Sequence, residues 1–377
     1  MAIEVTVKSA NIITSLGFTT SENAEALLAG KTGIMLSSDA KLAPSPFYAS
    51  LVNTRHLSER FSQIADPVKY TRFEQLAICS VNDALVNADI DVAGRKTIFI
   101  LSTTKGNIDL LESGSTGNSL FLWDTARVLR KHFRLYNEPL VISDACISGI
   151  QAITTAVRLL KAGSFDTCII NGTDIISEFV LSGFSSFKSL SSGPCRPFDL
   201  SRDGLSLGEG SGTLILSTVK GDMAEDSVAA GDGFSTNDAN HISGPSRTGE
   251  GLFLAIKRAL RDFPLSIGYI SAHGTATPYN DEMESIAINR AGLQNIPVNS
   301  FKGYWGHTLG AAGVIESVMS IWSLQNGVLF GTLGFKEPGV SMPLNIITTS
   351  QKKDIRSCLK IASGFGGCNA AITFFRK

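Results

Sequence analysis

The chain has 377 residues, which at roughly 100–200 residues per domain makes about two or three domain-sized units. Hydrophobic residues are 43% and charged residues 18%, so a large core is available and a disordered chain is excluded. Lys and Arg number 33 against 34 Asp and Glu, a net charge of −1 that excludes a globally basic nucleic-acid binder.

In chain order, helix-like patterning covers 21–29 and 73–86, and 96–101, with a solid apolar run at 98–101, reads as a strand. A strand at 140–143, a helix at 150–161 and strands at 167–171 and 212–216 follow. Helices at 251–261, 282–290 and 313–325 and a strand at 371–375 complete the pattern. The alternation predicts an α/β architecture, and the solid apolar runs predict sheets covered on both faces.

Residues 140–163 read as strand, tight turn with Cys146-x-x-Gly149, apolar helix and Ala162-Gly163. Residues 298–327 read as strand, Gly-rich turn with His307-x-x-Gly310, apolar helix and Asn326-Gly327. This similarity predicts two like halves facing one another. The polar stretch 217–227 marks the boundary, giving an N-terminal half, 1–216, and a C-terminal half, 217–377.

The cysteines Cys79, Cys146, Cys168, Cys195, Cys358 and Cys368 are scattered, with no CxxC pair and no zinc-ligand spacing. That pattern fits a reducing compartment, and neither metal nor cofactor is expected. The N-terminus shows no basic segment followed by an apolar run. The longest apolar helix candidate, 311–322, is too short to span a bilayer and contains Glu316. The expectation is a cytoplasmic protein without a membrane span.

Two nucleotide-like motifs fail on their context. Gly30-Lys31-Thr32 lacks the upstream glycine of a P-loop, because position 25 is Glu25, and it follows a helix. Gly208, Gly210 and Gly212 lead into a strand where a dinucleotide fingerprint leads into a helix.

Cys146 falls where a strand ends and a helix begins, facing backbone N–H groups and the positive end of the helix dipole. Both predict a pKa below the ordinary value of about 8.5. A small buried hydrophobe is the competing reading. His273 follows an apolar strand in a loop of small and hydroxyl residues, where ligands meet α/β sheets. His307 precedes a helix rich in small residues; for both histidines a structural role is the alternative. Lys302 is either a solvated lysine or a positive charge held at a site. Phe365, between glycines, is either a core aromatic or a side chain that swings into a pocket. One turn-placed cysteine, two glycine-flanked histidines and a lysine together suit thioester chemistry, with histidines or backbone donors stabilising oxyanions.

Here the motifs resemble the β-ketoacyl synthases, condensing enzymes of the thiolase superfamily. The matching segments are 26–34, 144–149, 196–212, 272–284, 302–316 and 364–369. The resemblance implies a five-layer αβαβα fold of two similar halves, with the site between them. It implies Cys146 as the acyl-accepting nucleophile, His273 and His307 as the catalytic pair, and Lys302 as the lysine biasing the field and holding His307. It further implies Phe365 as a gate, Glu316 as a supporting acid, and Thr275 and Thr277 as contacts for a phosphopantetheine arm. The activity implied is decarboxylative condensation of an acyl thioester with malonyl-acyl carrier protein.

The chain departs from the family at Asp144 and Ile147 around the nucleophile, at Lys8-Ser9-Ala10-Asn11, and at Cys368 where threonine is common. The segment 102–107 is similar to a subgroup making aryl polyene pigments. The implied partners are an acidic acyl carrier protein and a second subunit, either another copy or a chain-length-factor-like homologue. Lys69, Arg72, Arg130, Lys131, His132 and Arg134 are candidate carrier contacts, with a solvated face as the alternative. The rival functions are a coenzyme A-dependent thiolase, in which Cys368 would be a second reactive cysteine, and a non-catalytic chain-length-determining subunit.

Overall fold

The computed structural model describes residues 4–219 and 226–377. Part of the polar boundary stretch, 220–225, lies outside the described residues. Ten strands carry the architecture. The first five are β1 (Glu4–Ile13), β2 (Thr97–Ser102), β3 (Leu140–Ile142), β4 (Thr167–Asp174) and β5 (Gly210–Val219). The second five are β6 (Val228–Asn237), β7 (Tyr269–Ser271), β8 (Pro297–Asn299), β9 (Ser357–Gly364) and β10 (Cys368–Arg376).

The first five lie in the order β1-β5-β4-β2-β3 and the second five in the order β6-β10-β9-β7-β8, the same order shifted by five. Directions repeat as well. β2 is parallel to β3 and β4, as β7 is to β8 and β9, while β4–β5 and β9–β10 are antiparallel. The two sheets meet edge to edge where β1 pairs with β6 at Thr6 and Ala229.

Six helices complete the layers: α1 (Arg72–Leu85), α2 (Leu122–Phe133), α3 (Ser148–Lys161), α4 (Glu250–Leu260), α5 (Pro278–Arg290) and α6 (Ala312–Asn326). Alternate residues of each strand enter different cores, as a period of two requires. Ile98, Ile100, Cys168, Ile170, Leu214 and Leu216 face a central core with α3 and α6. Phe99, Leu101, Ile169 and Ile215 face an outer core with α1 and α2. Ile270, Leu359, Ile361 and Ala371 face the opposite outer core with α4 and α5. The result is five layers, with both sheets covered on both faces.

The central helices touch through glycine. A Cβ on Gly149 of α3 would lie 2.6 Å from the Val314 backbone nitrogen, and one on Gly313 of α6 would lie 2.5 Å from the Ile150 nitrogen. The glycine series read above as a failed nucleotide motif has a packing role: Gly212 leaves room for Ile315 of α6 against β5. Gly149→Ala is expected to cost about 3 kcal/mol, because backbone must move to admit the methyl group. Gly183→Ala, in the helix Glu178–Ser186 with nothing near its Cβ position, is the control and is expected to be neutral or slightly stabilising. Urea denaturation of the two variants checks this; equal midpoints would remove the crossing as a constraint.

Candidate active site

Cys146 sits on a cross-braced elbow between β3 and α3. Ala145 takes a left-handed φ of 43°, uncommon for a non-glycine residue. The Ser148 hydroxyl ties the turn together, accepting from the Asp144 N–H at 2.7 Å and donating to the Ala145 carbonyl at 2.6 Å. Gln151 donates to Asp144 Oδ2 at 3.2 Å. Cys146 is 8% exposed.

The thiol is not acidified as the helix terminus alone predicts. Burial pushes it up to about 11, against the opposing pull of the Lys302 and Lys105 ammonium groups and the Phe365 backbone N–H. Loss of hydration outweighs these donors, so the resting residue is a protonated thiol.

His273 follows β7, and His307 lies in the equivalent position to Cys146, in the turn between β8 and α6. The two rings stand 5.0 Å apart at 86°, and a ring nitrogen of each lies within 4.8 Å of the other and of the Cys146 sulfur. Burial, followed by nearby positive charge, holds both well below the ordinary histidine range, so both are neutral.

Their tautomers follow from their neighbours. Lys302 Nζ, which can only donate, lies 3.1 Å from His273 Nδ1, and the Leu309 N–H donates to His307 Nδ1 at 3.3 Å. Each ring therefore carries its proton on Nε2. His307 Nε2 is buried and meets no acceptor in the protein. Although three soft donors sit together, the histidines present N–H bonds to this space and an ammonium stands behind them. The trio suits an oxyanion and is a poor cation site.

Lys302 is fully buried and bonds the His273 carbonyl at 2.6 Å and Glu316 Oε1 at 2.7 Å. It therefore holds His273, and the expectation that it holds His307 is corrected. His307 is held by backbone: its N–H donates to the Ser206 carbonyl at 2.8 Å, and its carbonyl accepts from Gly208 at 3.0 Å. The His273 and Gly274 N–H groups donate to Glu284 at 2.7 Å each; burial, with Asp281 beside it, raises that carboxyl to about 7.

Phe365 lies in the β9–β10 turn, stacked on Phe184 with centroids 5.5 Å apart and edge-on to Phe187 at 5.3 Å. The Thr275 and Thr277 hydroxyls pair at 2.9 Å. These residues, Cys146 and both histidines line one cavity of ≈ 900 Å³, while Lys302 and Glu316 stand behind its wall. Exposed Lys188 and Arg247 also border the cavity, and none of the six basic residues singled out from sequence does.

Of those six, Arg72 is corrected: it is bound to buried Glu209 and to the Val52 carbonyl at 2.8 Å. Arg130 pairs with Glu138, and His132 Nδ1 bonds the Tyr70 hydroxyl at 2.9 Å. Lys69, 3.7 Å from Asp66, and Lys131 and Arg134 are exposed. Cys368 Sγ lies 3.3 Å from the Phe365 carbonyl, and burial raises its thiol to about 12.

Sequence reading passed over two buried groups. Asp174, ending β4, accepts from the Thr103 hydroxyl at 2.7 Å, the Thr104 N–H at 3.0 Å and the Gly310 N–H at 2.6 Å. It thereby ties the 103–105 segment to the turn after His307, where Leu309 has a left-handed φ of 53°. Lys360 lies in β9, 2.6 Å from Glu316 Oε2. For Lys360 the signal was a charge between the apolar neighbours Leu359 and Ile361 of a strand.

The family model described as beta-ketoacyl synthase, N-terminal domain, matches residues 3–221, and the C-terminal domain model matches residues 227–336. The chain is 28% identical to the 3-oxoacyl-acyl-carrier-protein synthase 2 of Vibrio harveyi, over 98% of each chain. A ketosynthase from Xenorhabdus doucetiae, solved in complex with its chain length factor, matches at a TM-score of 0.87 and 27% identity. That match covers 100% of this chain and 98% of the other. A beta-ketoacyl synthase from Burkholderia phymatum matches at 0.85 and 25% identity, covering 100% of both.

Because the thiol is buried and protonated, its alkylation by iodoacetamide is expected to speed up about tenfold per pH unit between pH 7 and 9, the rise of the thiolate fraction. Intact mass against time measures it. A plateau near neutral pH would mean a thiolate already formed.

Proposed function

Since the chain belongs to the beta-ketoacyl synthase family, we propose that it condenses an acyl group held on Cys146 with malonyl-acyl carrier protein. The observation that carries this is the pair of neutral histidines, each with Nε2–H free to donate, beside the buried thiol.

Cys146 gives up its proton and its sulfur attacks the acyl thioester. The tetrahedral oxyanion is met by the Cys146 and Phe365 N–H groups, and the carrier thiol leaves. Malonyl thioester then enters. Loss of CO2 moves the negative charge onto the thioester oxygen, where two Nε2–H donors stabilise it. The carbanion attacks the acyl-Cys146 carbonyl, the C–S bond breaks to expel the Cys146 thiolate, and the 3-oxoacyl carrier thioester leaves; the thiolate takes a proton from solvent to restore the thiol. Two donors to one oxygen account for two histidines. Thr275 and Thr277, on the cavity wall, are the hydroxyls for a phosphopantetheine arm, and Phe365 gates the acyl side.

In this reading residues 1–216 supply the nucleophile and 217–377 the histidines. The second subunit joins at β3, an edge strand that begins with exposed Leu140 and continues with part-buried Val141 and Ile142. A chain-length-factor-like homologue fits this edge as well as a second copy does. The segment 102–107 supports an aryl polyene-type product, and a cytoplasmic setting fits the buried free cysteines. Among the described residues no helix is long and apolar enough to cross a membrane.

Incubation with an acyl-carrier-protein thioester is expected to add one acyl mass to the wild type and none to Cys146→Ala. Equal condensation by the variant would reject the nucleophile, and uptake from coenzyme A alone would favour a thiolase. Lys188→Glu/Arg247→Glu is expected to raise KM for the carrier about tenfold at low salt, the loss fading as salt rises, with small thioester mimics unaffected. Unchanged steady-state KM for the carrier would clear the cavity mouth as the docking surface.

A further inference from the structure

Glu316 is a buried carboxylate between two buried lysines. Lys302 Nζ lies 2.7 Å from Oε1, and Lys360 Nζ lies 2.6 Å from Oε2. Side-chain exposures are 0% for each lysine and 1% for the glutamate. Lys302 also meets the His273 carbonyl at 2.6 Å and His273 Nδ1 at 3.1 Å. Lys360 also meets the Ser271 carbonyl at 3.3 Å and the Ala272 carbonyl at 3.0 Å.

Lys302 hydrogen-bonds Oε1, and Lys360 hydrogen-bonds the two carbonyls and sits in ion-pair contact with Oε2. The shared carboxylate favours the ammonium form of each against burial, the effect that lowers Lys360. Around Glu316 two ammonium groups face one carboxylate, and the next carboxyl, Glu284, is raised to about 7 by burial and by Asp281 beside it, so it offsets the surplus positive charge only in part.

Stability does not call for this arrangement. Lys302 alone would neutralise Glu316, and burying a further charge is costly. The surplus charge lies behind His273, through whose ring and carbonyl it connects to the space beside the thiol. We propose that Lys360 is a positioning residue for decarboxylation, saturating Glu316 so that the positive field of Lys302 reaches the oxygen held by the histidine pair.

As CO2 departs, the electron pair of the broken C–C bond moves into the enolate and its charge settles on the thioester oxygen. Cations behind the histidines favour that oxygen over the departing carboxylate. The same charge keeps both rings unprotonated. The groups facing His273 are Lys302, Glu316, Lys360, Glu284, His307 and Cys146, and Lys360 opposes the protonation of both histidines. The inference rests on the condensing reading above.

Three proteins test it: wild type, Lys360→Met, and Lys360→Met/Glu316→Gln. Methionine keeps an unbranched stem without the charge, and the double variant restores one net positive charge. CO2 release from malonyl carrier protein is measured across pH, with acylation of Cys146 read by mass on the same samples. Lys360→Met is expected to slow CO2 release about tenfold. Its acid limb is expected to move to higher pH, because histidines losing a positive neighbour bind a proton sooner. The double variant is expected to recover most of the rate and the original limb.

A wild-type rate and limb in Lys360→Met would overturn the proposal while leaving the condensing reading intact. A double variant as slow as the single one, with both equally impaired in acylation, would reduce Lys360 to a structural role. A wild type that takes up no acyl group and releases no CO2 would overturn the condensing reading and this inference with it.

Discussion

The crossing of α3 and α6 at Gly149 and Gly313 sets the geometry on which the site depends. Their backbones approach so closely that neither position admits a methyl group. Each helix follows a strand at the same place in its half, so each brings the turn before it to the same point. One turn carries Cys146 and the other carries His307. The thiol and the imidazole meet because two equivalent helix starts meet.

This placement buries Cys146, His273 and His307, and burial decides their protonation. The thiol is raised, the histidines are lowered, and all three are uncharged. Charge lies in a layer behind them, where Lys302 and Lys360 flank Glu316. Toward the cavity the site offers aimed N–H bonds, which are most effective on charge that develops in a transition state.

The braces around the site come from both halves. Asp174 reaches from β4 to the Gly310 N–H across the central layer, and Glu284 grips the backbone of His273 from α5. Phe365 reaches over the cavity from the β9–β10 turn and rests on Phe184 from the first half. Relative movement of the halves would disturb Cys146, both histidines and Phe365 at once.

Local signals carried much of this. The solid apolar run at 98–101 showed a doubly covered strand, and the paired strand–turn–helix segments showed two like halves. Cys146, His273, His307, Lys302 and Phe365 were legible as a set because their glycine-rich surroundings are unusual. β6 was not legible: Gly231 and Gly233 interrupt its alternation, because Thr373 and Thr154 of neighbouring elements occupy the space their side chains would need. Sequence by itself determined the fold class, the like halves and the side chains that assemble around the cavity, since these depend on local periodicity and turn chemistry. Tertiary structure alone decided which histidine Lys302 holds, that Arg72 is spent on Glu209, that Lys360 stands against Glu316, and that the thiol is protonated. Those outcomes depend on desolvation and on partners far away in the chain, and neither is encoded in any short stretch of residues.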